Sequence, residues 1–191
     1  DAIGAAEGEV TFSEVLHSAL RGTPLVDVPG IAFREDTGVT LTAPRPRLRE
    51  LDILPSPYLD GTFDELLARH DDVFTGAILE TNRGCPFACT FCDWGQATQS
   101  KVVEFNIQRV QRELEWIADQ GIHYLFCADA NFGIKRRDLE TAKLLADLRR
   151  RTNYPRVFFV NWTKNQYRRT VDIAKVLHRA GLSPVVTLSM Q

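Results

Sequence analysis

Residues 74–92 read FTGAILETNRGCPFACTFC, and this stretch decides the fold. The apolar run at 74–80 predicts a β-strand. It leads straight into a loop carrying Cys85, Cys89 and Cys92, spaced CxxxCxxC. A rhythm of helices and strands follows. Residues 104–120 carry the pattern of an amphipathic helix, with Ile107, Val110, Leu114 and Ile117 inward and Gly121 placed to end it. Apolar runs at 123–128, 156–162 and 184–190 predict further strands. Residues 136–151 and 168–180 predict further helices, the second closed by Gly181. Strands that are apolar at successive positions predict burial on both faces, hence a parallel sheet built of right-handed βαβ units. In an open sheet or a barrel alike, ligands bind at the C-terminal strand ends, and the cysteine loop begins at such an end.

The chain before this rhythm reads differently. Residues 1–22 read as a strand end, a turn at residues 7–9 and a helix whose Phe12, Val15, Leu16, Ala19 and Leu20 share one face, with Thr11 or Ser13 as N-cap. Pro24, Pro29, Pro44 and Pro46 exclude a helix over 23–50. Within that segment, residues 31–42 read as a hairpin turning at 36–38. Residues 50–62, with Pro55 and Pro57, predict a stiff, extended connector. The expected division is therefore 1–22, 23–72 and 73–191. The abrupt start at Asp1 and stop at Gln191 read as the ends of a piece of a longer protein.

Composition narrows the classes. The chain has 191 residues, a formal net charge of −2 and a pI near 6.1. No cation excess is available for general nucleic-acid binding. No apolar run approaches the ~18 residues of a membrane span, and no secretory leader is visible. The expectation is a cytoplasmic protein with neither membrane nor nucleic acid as partner. Four cysteines, three of them crowded into one loop, point to metal and not to a disulfide scaffold.

Three thiolates on one loop match three irons of a 4Fe–4S cubane and leave the fourth iron open for a ligand. Gly84 and Pro86 favour a tight, rigid turn there. The alternative is a structural zinc site, whose fourth ligand would come from Cys127 or His123. Cys127 itself reads as a small buried hydrophobe standing apart from the metal ligands. Trp94, which follows the last cysteine as Cys92-Asp93-Trp94-Gly95, reads either as a shield for the site or as packing.

The motif Cys85-x3-Cys89-x2-Cys92, with Phe91 before the third cysteine and a strand ahead of it, resembles that of the radical S-adenosylmethionine (SAM) superfamily. The resemblance implies an α/β fold: a partial (β/α)6 barrel of which 73–191 supplies the first four units. It implies a 4Fe–4S cluster on the three cysteines, SAM on the open iron, and cleavage of SAM to a 5′-deoxyadenosyl radical. Phe91 would then lie near the adenine. At the next strand end, Asp129-Ala130-Asn131-Phe132-Gly133 departs from the superfamily's usual Gly-Gly-Glu-like stretch and resembles the variant of cobalamin-dependent members. Asp129 and Asn131 are thereby candidates for the SAM amino group. Lys164 in Thr163-Lys164-Asn165 is placed to meet a carboxylate. Ser189 and Gln191, ending the last strand, are candidates for the SAM ribose or carboxylate.

The N-terminal Gly4-Ala5-Ala6-Glu7-Gly8-Glu9 and its helix resemble the C-terminal end of a Rossmann-like cobalamin-binding domain, with Ala6 where a glycine is usual. The corrin contacts of such a domain would lie before Asp1. What the resemblance implies in function is a cobalamin-dependent radical SAM methyltransferase of the natural-product type. It would move a methyl group from SAM by way of methylcobalamin to a carbon of a small-molecule, amino-acid or peptide substrate, with an external electron donor. A tryptophan 2-C-methyltransferase of thiopeptide biosynthesis is one member type it resembles. The alternatives are a radical rearrangement or cyclisation without methyl transfer, and a non-catalytic Fe–S or zinc module.

Overall fold

A computed structural model of the chain describes residues 1–5, 7–70, 76–92, 101–182 and 186. It falls into two units, 1–49 and 50–191.

In the first unit, β1 (Ala2–Gly4) leads into α1 (Gly8–Arg21), a single 3-10 turn at Leu25–Asp27, and a hairpin of β2 (Ile31–Glu35) and β3 (Gly38–Leu41). The strands form one antiparallel sheet in the order β1-β2-β3. Val28, Ile31 and Phe33 make its core, with Val15 and Leu25 packed against them. The hairpin turns at residues 36–37, within the interval the sequence indicates. Helix α1 starts earlier than expected. Its N-cap is Glu7, without a side-chain capping bond, and Thr11 lies inside the first turn, where its hydroxyl donates to the Glu7 carbonyl at 3.3 Å. The buried side of α1 is rotated from the apolar stripe: Thr11 and Ser18 are buried, whereas Phe12, Leu16 and Leu20 stay exposed.

In the second unit, the connector is not extended. It turns on itself through Leu54 N–H to Leu51 O and Leu59 N–H to Ser56 O, both 3.0 Å, and buries Leu51 completely. The Tyr58 hydroxyl takes the place of a neighbouring strand, donating to the Ile78 carbonyl and accepting from its N–H. The short helix α2 (Asp64–Arg69) follows, then β4 (Gly76–Leu79), β5 (Asn82–Arg83) and β6 (Val103–Glu104). The remaining elements are α3 (Ile107–Asp119), β7 (Tyr124–Phe132), α4 (Asp138–Thr152), β8 (Val157–Trp162) and α5 (Tyr167–Arg179).

Strands β4, β7 and β8 pair in parallel, in that order. Because the order runs one way, right-handed crossovers place α3 and α4 on the same face of the sheet. The strands consequently alternate. Ala77, Leu79, Leu125, Cys127, Phe158 and Val160 are buried with Val110, Leu114, Ile117, Leu145 and Ile173 of the helices. Each side chain of Leu size so buried contributes roughly 1.5–3 kcal/mol. On the other face Ile78 is 61% and Phe159 52% exposed. The expectation of burial on both faces therefore does not hold among the described residues. Continuous apolar runs serve here a sheet with helices on one side.

Helix α3 starts at Ile107 and not at 104, because the Asn106 side chain caps it by accepting from Gln108 N–H at 2.8 Å, and Glu104 is drawn into β6. Gly121, just past its end, takes φ 67, a conformation that glycine adopts without strain. The expected strand at 184–190 falls outside the described residues, apart from Val186.

Candidate metal centre

The cysteine loop grows out of the C-terminal end of β4, and its root is fixed before the first cysteine. Strand β5 pairs antiparallel with β6, setting Asn82 opposite Glu104 and Arg83 opposite Val103. The Thr81 carbonyl accepts from Phe105 N–H at 3.0 Å and from an Arg137 guanidinium nitrogen at 3.2 Å. That guanidinium also donates to the Phe105 carbonyl at 2.5 Å and pairs with Glu104 at 3.2 Å.

From the opposite side comes Asp129, at the end of β7 and only 1% exposed. One of its oxygens accepts from the Thr81 and Asn82 N–H groups at 2.7 and 3.1 Å. The other accepts from the Thr81 hydroxyl and the Asn82 amide at 2.5 and 2.6 Å. Burial pushes this carboxyl above its usual range, and the bonds donated by Thr81 and Asn82 pull it back.

The chain then turns at Gly84, with φ 119, and brings Cys85 into a buried position. Asn131, two residues beyond Asp129 and likewise buried, points its amide at the Cys85 sulfur, 3.1 Å away. Cys92 N–H bonds the Cys89 carbonyl at 3.1 Å, which closes the second half of the loop. Lys164, just beyond β8, places its ammonium 3.1 Å from the Cys89 sulfur and 5.8 and 5.6 Å from the ring centres of Phe87 and Phe91.

The geometry thus brings Cys85, Cys89, Phe91, Asn131 and Lys164 to one end of the parallel sheet. Two of the three sulfurs receive N–H donors, which suits thiolates that share negative charge with a cluster. Among the described residues no three His, Cys, Asp or Glu side chains converge on a single ion. Phe91 is 76% exposed, an open ring beside the loop. Cys127 is fully buried on the helix-covered side, with its thiol pushed up by burial and by the Asp129 charge. Trp94, Ser189 and Gln191 fall outside the described residues. Thr81, Asn82 and Arg137 were not singled out by the sequence, although Thr81 and Asn82 directly precede the cysteine motif. Their signal was the need of a buried Asp129 for donors.

A family model described as the radical SAM superfamily matches residues 79–191. The chain is 44% identical, over 194 aligned positions, to the 2-(S-pantetheinyl)-carbapenam-3-carboxylate methyltransferase of Streptantibioticus cattleyicolor. It is equally similar to the cobalamin-dependent radical SAM methyltransferase TokK of Streptomyces tokunonensis. Each alignment takes in the whole of this chain and 28% of the relative, so the chain spans little more than a quarter of their length. Among solved structures, the methyltransferase TsrM of Kitasatospora setae superposes on 96% of this chain and 44% of its own with a TM-score of 0.59, at 15% identity. The cobalamin-dependent SAM radical enzyme OxsB superposes on 96% of this chain and 27% of its own with a TM-score of 0.61, at 20% identity. Both are likenesses of fold.

Proposed function

The chain belongs to the radical SAM superfamily, and from that premise we propose that it is part of a cobalamin-dependent methyltransferase that moves a methyl group from SAM to a carbon of a natural-product substrate. The observation that carries the reading is the cysteine loop at the sheet's C-terminal end, with Asn131 and Lys164 aimed at two of its sulfurs. Cys85, Cys89 and Cys92 would hold a 4Fe–4S cluster. Bound there, the cluster would supply single-electron chemistry toward SAM, and cobalamin would supply a methyl carrier.

The chain's own residues would bind and orient. Phe91 offers an exposed ring for the adenine. Lys164, whose ammonium stands beside the Cys89 sulfur, is proposed for a carboxylate. Asn131, whose amide is held at the Cys85 sulfur, is proposed for the SAM amino group. Ser189 and Gln191 are proposed for the ribose or carboxylate. The first 22 residues are proposed as the end of a Rossmann-like cobalamin-binding domain, 23–72 as the link and 73–191 as the start of the barrel.

On the substrate, identity favours a carbapenam carboxylate over tryptophan. The two relatives at 44% identity include a methyltransferase named for the former, whereas the tryptophan-bound neighbour shares 15%. Incubation of the full-length protein with methyl-labelled SAM, cobalamin, a reductant and a carbapenam carboxylate tests this. Label is expected first on the corrin and then on the product. Turnover of SAM with no label in either would overturn it in favour of a radical reaction without methyl transfer.

A further inference from the structure

We propose that Asp129 is a positioning residue that fixes the root of the cysteine loop and makes no contact with SAM. The inference rests on the reading that the loop holds a 4Fe–4S cluster.

The sheet places Asp129 first. Successive side chains of a strand point to opposite faces; Leu125 and Cys127 are buried while Tyr124 is on the open face. Although the register with β8 shifts between Cys127 and Phe132, the Cys127 thiol bonds the Asp129 carboxylate and keeps Asp129 on its own side, where Asn131 and Phe132 are buried too. Asp129 therefore shares the helix-covered side with two core residues. Its acceptor capacity comes next. A carboxylate offers about four lone-pair sites, and four donors from Thr81 and Asn82 occupy both oxygens at 2.5–3.1 Å. The Cys127 thiol adds a fifth bond, so the acceptor capacity of this carboxylate is taken up inside the fold.

What those bonds hold is equally specific. The Thr81 N–H is fixed by Asp129 and the Thr81 carbonyl by Phe105 and Arg137, so this unit is clamped from both sides. Asn82 is bound through backbone and side chain, three residues before Cys85. Two residues along the same strand, Asn131 reaches the Cys85 sulfur itself. The end of β7 therefore meets the loop at its root and at its first cysteine. Preorganisation of that kind sets how tightly ligands hold a metal group.

The test compares the intact protein with Asp129→Asn and Thr81→Val after anaerobic loading with iron and sulfide. The amide of Asp129→Asn keeps the volume but cannot accept from all four donors. Iron loss to a ferrous chelator is expected to accelerate about tenfold or more in Asp129→Asn, and to a smaller degree in Thr81→Val. The reduced cluster's EPR line shape should change in both. SAM affinity, and the change SAM makes to that EPR signal, should stay as in the wild type. A purely structural role would lower Tm without altering the line shape. Wild-type iron retention in Asp129→Asn together with a large loss of SAM affinity would overturn the proposal. If Asp129→Asn does not fold, Thr81→Val decides, and wild-type retention there overturns it too. A wild-type protein that loads no cluster fails the functional reading itself. A loaded wild type with an indifferent Asp129→Asn fails only this inference.

Discussion

Cys85 and Cys127 present the same thiol to two different tasks. Both are buried, but Cys85 lies on the loop with the Asn131 amide on its sulfur, whereas Cys127 lies mid-strand on the helix-covered face, its thiol pushed up by burial and by the Asp129 charge. Replacing Cys85, Cys89 or Cys92 by Ala is expected to abolish iron loading of the intact protein. Cys127→Ala should load as the wild type does, at a cost of about 1 kcal/mol in stability. Elemental analysis of the four variants checks this, and iron loss in Cys127→Ala would return that residue to the ligand set. The ligands were legible because their spacing is a chemical requirement. Asp129 was placed by residue type at a motif position. Its sheet face is not legible in the sequence, because the run at 123–128 is apolar at successive positions and the register shifts after Cys127.

Elements were legible in proportion to their length. Helices α3, α4 and α5 announce themselves by periodic apolar positions, and their bounds move by at most a few residues. Strands β5 and β6 have two residues each, too few for any period, and exist only because the loop folds back on itself. The connector's turns were hidden behind its prolines. The start of α4 carries a consequence for pH. Asp138 is fully buried, with one oxygen accepting from Gly133 and Lys135 N–H at 2.7 and 2.9 Å and the other without a partner. Burial raises its pKa from 3.8 to about 6. The folded state thus binds the proton more tightly than the unfolded chain does. The stability this contributes is complete below pH 4 and is lost as pH rises through 6, by on the order of 3 kcal/mol. Asp138→Asn keeps an oxygen for the two N–H groups and cannot titrate. Denaturant unfolding from pH 4 to 7 should show wild-type stability falling relative to Asp138→Asn. Parallel curves would contradict this assignment.

At the scale of the second unit, the parallel sheet has one covered and one open face among the described residues, and the candidate centre sits at its C-terminal end. No helix among the described residues is long and apolar enough to cross a membrane. The net charge of −2 offers no field to gather polyanions. The open face carries Ile78, Tyr124 and Phe159, and the curated relatives extend well beyond the length this chain spans. The direct measurement is iron, acid-labile sulfide and zinc in the intact protein after anaerobic reconstitution, with EPR of the reduced sample before and after SAM. About four iron and four sulfide per chain, with a signal that SAM alters, is the predicted result. One zinc per chain, no sulfide and no response to SAM would contradict it.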